Sequence, residues 1–168
     1  LGEGMKKIVR SICIGVLLCV LCSIPTFAFG VDQSVLLLNG VNEQTVVKPQ
    51  PRGSVISTGT LRISNEGEGA IGVFMQTLAH IDVDETTFGL FLDRWIASEK
   101  RWANVEHYTF TFTKEDYPDE DLAMKSLSFK IIGQPVDCYY RLRGMHLVVA
   151  GGEREMLTTQ TDGVLLTQ

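Results

Sequence analysis

From residue 54 onward, hydrophobic and polar positions alternate with a period of two. Over residues 104–113, Tyr108, Phe110 and Phe112 face one side, and His107, Thr109, Thr111 and Thr113 face the other. That is the pattern of a half-buried strand built from aromatic and β-branched residues. Residues 88–96 form its candidate partner. Residues 60–64 also alternate, Asn65-Glu66-Gly67-Glu68-Gly69 supplies turn residues, and residues 70–78 run back, which predicts a hairpin. Leu127, Phe129 and Ile131 alternate in a further strand. Residues 138–149 form another, Gly151-Gly152 turns the chain, and residues 156–166 read as the last strand. Residues 119–125 are expected to make one helical turn, and no ten-residue stretch beyond the leader carries a helical period. About seven strands separated by turn signals predict an antiparallel β-sandwich over residues 54–168.

The first thirty residues break the pattern. Met5-Lys6-Lys7-Ile8-Val9-Arg10 is a basic start, residues 12–24 are apolar apart from Gly15 and Ser23, and Pro25-Thr26-Phe27-Ala28 adds a helix breaker and small residues. This order predicts a secretory signal peptide over residues 1–28, cleaved after Ala28, with Gly30 as the alternative. A retained anchor is the weaker reading, because the apolar run falls short of the roughly 20 residues that span a bilayer. Leu18 before Cys19 and Leu21 before Cys22 argue against lipid attachment. Residues 1–4 precede Met5 and read as a mis-called start. Residues 29–53, with Asn39-Gly40, Pro49 and Pro51, read as an extended linker holding a short strand at residues 35–38.

Composition sharpens this picture. The 168 residues carry a formal net charge of -5. Loss of the leader removes three cations (Lys6, Lys7, Arg10) and one anion (Glu3), which takes the charge to -7. Such a chain is a poor generic binder of nucleic acid or of an anionic membrane. Cys13, Cys19 and Cys22 leave with the signal, so Cys19 and Cys22 are no redox or zinc pair. Cys138 remains without a partner, and stability must come from a core.

Few motifs suggest chemistry. Gly67-Glu68-Gly69-Ala70-Ile71-Gly72 matches G-x-G-x-x-G, yet a strand follows it where a dinucleotide site needs a helix, so its glycines read as a turn. His80, His107 and His146, all placed in strands, lack metal-ligand spacing, and no metal or cofactor is expected. Two acidic runs, residues 82–85 and 115–121, offer oxygens to calcium, but neither matches a calcium loop; weak calcium binding is not favoured. No nucleophile elbow exists and Cys138 has no neighbouring histidine. The most distinctive run is Tyr139-Tyr140-Arg141-Leu142-Arg143-Gly144-Met145-His146. Alternation puts Tyr139, Arg141, Arg143 and Met145 on one face, and Tyr140, Leu142, Gly144 and His146 on the other. Tyr139, Arg141 and Arg143 are the candidate ligand-binding residues. The plainer reading, which the pattern favours, puts Tyr140 and Leu142 in the core and the arginines in ion pairs. Trp95 and Trp102 are expected to be core anchors.

Together with Arg52-Gly53-Ser54, Ile63-Ser64-Asn65, Leu92-Asp93-Arg94-Trp95, Trp102, Gly151-Gly152 and Thr161-Asp162-Gly163-Val164, that run resembles a domain-of-unknown-function family. Its members are small secreted proteins of clostridia and related Gram-positive bacteria. The resemblance covers residues 52–168 and implies secretion and an all-β domain; it assigns no activity and no site residue. The expected function is therefore a secreted, extracellular, non-catalytic β-sandwich that binds a protein or glycan at or outside the bacterial surface. The alternatives are a secreted hydrolase using carboxylates such as Asp82, Asp84 or Asp119, and a bacteriocin-like effector. No sorting motif follows Leu166, which favours release over covalent wall attachment.

Overall fold

Period-two sequence becomes paired strands wherever a turn-forming segment lets the chain double back. In the computed structural model, which describes residues 37–38, 40–50 and 52–168, ten strands result and no helix is present among the described residues. They are β1 (Leu37–Leu38), β2 (Glu43–Pro49), β3 (Ile56–Gly67), β4 (Ala70–Ala79), β5 (Glu85–Ile96), β6 (Arg101–Thr113), β7 (Met124–Ile131), β8 (Cys138–Ala150), β9 (Glu153–Gln160) and β10 (Gly163–Leu166). One sheet has the order β2-β3-β4-β7. The other runs β1-β10-β8-β5-β6, with β9 also paired to β8. All pairings are antiparallel except the two-residue pairing of β1 with β10. The protein is an antiparallel β-sandwich. The expected signal peptide over residues 1–28 lies outside the described residues.

The turns follow from local chemistry. Gly67, Glu68 and Gly69 all have positive φ, so the G-x-G-x-x-G string is the β3–β4 hairpin turn. Gly151 and Gly152, at φ 57° and 86°, make the two-residue turn between β8 and β9, where both central residues need left-handed backbone.

Inward-facing residues of both sheets form the core. Phe88, Leu90 and Leu92 of β5 and Tyr140 and Leu142 of β8 meet Leu61, Ile63, Ile71, Val73 and Met75 of β3 and β4. A smaller cluster joins Val55, Ile56, Val83, Leu122, Val148 and Leu157. Along β8, Gly144 and His146 lie between the two. Gly144 is closely packed: a Cβ there would sit 2.6 Å from the Thr159 hydroxyl and 2.9 Å from Met75 Cε, so these side chains would have to shift. Buried His146 ties the sheets together, with Nδ1 2.9 Å from the Thr77 hydroxyl of β4 and Nε2 3.0 Å from the Thr159 hydroxyl of β9. Burial pushes its imidazole down to about 4, so the ring is neutral at ordinary pH.

Four expectations about strands and turns need correcting. Residues 43–49, read as linker, form β2, whose whole length pairs with β3. The expected last strand is two strands, parted where Thr161 bonds back to Leu142 through both its amide and its hydroxyl. Residues 119–123 make short turns and no helix, because Pro118 and the carboxylate of Asp121, which accepts from Ala123 N, break the segment into short reversals, and residues 124–125 already belong to β7. His80 follows β4 in a bend rather than in a strand.

Candidate binding site

On β5 the even positions face the core, so Phe91, Asp93 and Trp95 face outward. Strand pairing then decides their neighbours: Arg143 stands opposite Phe91, Arg141 opposite Asp93 on β8, and Asn104 opposite Asp93 on β6. The Asp93 side chain is only 3% exposed. Its Oδ2 accepts from Arg143 Nε at 2.7 Å and from Arg141 Nε at 3.1 Å, and its Oδ1 accepts from Arg143 Nη2 at 3.0 Å. Burial by itself would push this carboxyl up. The bonds and charge of Arg143, with Asn104 and Arg141, outweigh it and hold the group below its usual range. Asn104 sits where β6 carries an extra residue, and its amide also donates to the carbonyls of Leu92 and Glu106. The bulge thus positions a third donor on the acid.

Aromatic rings frame the ion pairs. The Arg141 guanidinium lies 4.7 Å from the Trp102 ring centroid, and that of Arg143 lies 5.0 Å from Phe91. Trp95 and Trp102 are a cross-strand pair meeting edge to face at 5.4 Å. They stand on this outer face, half-buried, and not in the core as expected; each ring covers the other, and the Arg141 guanidinium covers Trp102.

The structure therefore joins Arg141 and Arg143 as an ion-paired unit, with Tyr139 next along the same face. The two arginines differ in availability. Arg141 is 12% exposed and held between Asp93 and Trp102, whereas Arg143 is 41% exposed. Arg143 also lines a cavity of about 610 Å³ between β2 and β9, together with Val47, Lys48, Phe91, Met145 and Thr158. A neighbouring cavity of about 500 Å³ shares Lys48, Pro49 and Thr158 and adds Arg52 and Met156. The two make one groove.

Strand β2 is tied alongside β9 and β10 by side chains. Gln44 Nε2 donates to Asp162 Oδ2 at 2.5 Å, and Lys48 Nζ donates to the Thr158 carbonyl at 3.0 Å. At the far end Glu155 accepts from the amides of Val55 (2.5 Å) and Ile56 (3.2 Å), from the Ser54 hydroxyl and from the Gln50 amide. Burial would raise this carboxyl, but these donors together keep it below its ordinary range. Asp93, Asn104, Phe91, Lys48 and Glu155 were not singled out from the sequence as site residues. The one signal was Asp93, an acid at an outward position of an otherwise apolar strand.

The carboxylates considered for hydrolysis lie elsewhere. Asp82 and Asp119 are exposed and line a cavity of about 300 Å³ near the acidic loop, and exposed Asp84 accepts from Gly151 N at 2.7 Å. Among the described residues, no three His, Cys, Asp or Glu side chains gather as a metal site. The groove offers cations, apolar surface and strand edges, a set suited to holding an anionic ligand.

No protein-family model matches the sequence, and no curated protein matches it.

Proposed function

We propose that this protein is a secreted, non-catalytic β-sandwich that binds a protein or glycan at or outside the surface of a Gram-positive bacterium. The β2–β9 groove and Arg143 form its site. The observation that carries this reading is the state of Arg143. Its guanidinium is fixed by two bonds to a buried carboxylate and by the Phe91 ring, yet remains half-exposed beside a groove. A cation held in place before the ligand arrives loses little freedom on binding. Arg141 acts as a support, and Tyr139 extends the same face.

Immobilised protein challenged with cell-wall fractions and with the secreted proteins of the producing cell tests the reading. A specific, saturable ligand is expected, with retention weakened at least tenfold by R143A and less by Y139A. Retention of nothing, or retention unchanged in the folded R143A protein, would overturn the proposed site.

A further inference from the structure

We propose that the groove takes an extended, acidic peptide segment of a partner protein, which adds as a strand along the outer edge of β9. This rests on the binding reading and names its ligand class. Three observations point the same way. First, among the described residues β9 pairs with β8 alone and β2 with β3 alone, so two strand edges face one groove. Edges of this kind are templates for an added strand unless blocked. The Thr158 carbonyl already faces outward and is held by a single lysine, which an incoming peptide N–H can replace.

Second, the charged residues that line the groove are all cations, Lys48, Arg52 and Arg143, in a chain whose net charge is -5. The local sign is opposite to that of the molecule, which favours an acidic ligand and steers its approach. Third, Val47 and Met156 flank the groove at 60% and 56% exposure. They offer apolar contacts to alternate side chains of an extended segment. A glycan fits less well: it cannot match the alternating donors and acceptors of a strand edge. The two tryptophans that would stack on a sugar are engaged with each other and with Arg141.

The test is selection of a displayed random octapeptide library on the purified full chain, followed by fluorescence anisotropy with the winning peptides. Enrichment of Asp or Glu interleaved with apolar residues is expected. Affinity should fall at least tenfold with K48E or R143E, and equally when alternate peptide amides are N-methylated. Lys48 is on an exposed edge strand, so K48E keeps the test valid if R143E fails to fold. Peptides indifferent to N-methylation, or to both charge reversals, would overturn the proposal. Binding that appears only after removal of residues 29–36 would overturn it in favour of an occupant from the chain itself. Arg143-dependent retention of acidic oligosaccharides, with no peptide enriched, would overturn the peptide and leave the binding reading standing. Failure of peptides, oligosaccharides and cell fractions alike would overturn both.

Discussion

Asp93 holds Arg143 with both carboxylate oxygens, at 2.7 and 3.0 Å, although Arg143 is not its opposite partner but stands two pairs further along the ladder, opposite Phe91. The direct partner, Arg141, donates to the same Oδ2 at 3.1 Å. One buried acid thus orients two arginines, and only the outer one is left available to a ligand.

Replacement of Asp93 by Asn should be costly, because it leaves the largely buried Arg141 without its counter-charge. Loss of one partner of a buried ion pair typically costs about 3–5 kcal/mol. Urea denaturation should show D93N far less stable than R143A, since Arg143 is partly solvated and Arg141 still answers Asp93 in its absence. Equal stability of D93N and the parent protein would contradict the arrangement.

Stability should fall as the pH drops from about 6.5 to about 4. Above that window the His146 ring is neutral in both folded and unfolded chains, and its full contribution is present. Within it the unfolded chain gains a proton that the buried ring cannot take, so unfolding is favoured, by roughly 3 kcal/mol over the whole range. Denaturation midpoints of H146Q should lose this slope. A slope unchanged in H146Q would assign it to other groups.

Glu155 gathers the amides of Val55 and Ile56 with Ser54 and Gln50, tying the start of β3 to β9. E155Q keeps the shape and removes the charge that shortens these bonds, at a cost of about 1 kcal/mol. Faster hydrogen exchange at Val55 and Ile56, with little change in β4, is the expected signature. Uniform acceleration throughout the sandwich would mean that Glu155 acts on global stability instead.

The proposed export makes a direct prediction of mass. Protein recovered from culture medium should begin at Phe29, or at Val31 if cleavage follows Gly30. Material that stays in the cell with residues 5–28 attached would contradict the secretory reading.

The paired strands were legible because their signals are local. The β3–β4 hairpin and the β8–β9 turn each lie within a few residues of their glycines, and the inward placement of Tyr140, Leu142 and His146 follows from alternation alone. β2 escaped notice because it is an edge strand exposed on most of its length and ends in Pro49. Without a buried face it has no period-two signature, and it read as linker. The break at Thr161 is invisible for a related reason: a buried threonine replaces a ladder bond with its own hydroxyl and leaves the hydrophobic pattern intact. The site itself depends on register. Nothing local in residues 92–95 says that Asp93 will stand beside residues 141 and 143, nor that a one-residue bulge will bring Asn104 and Trp102 to the same face. Those neighbours come from which strands pair, and that is a property of the whole sheet.

The most direct measurement is hydrogen exchange of the protein with and without the ligand retained from cell-wall or secreted fractions. Binding in the groove predicts slowed exchange confined to residues 46–48 of β2 and 156–160 of β9, with no change in the 115–121 loop. Protection centred on that acidic loop, or no protection along either strand edge, would contradict the account.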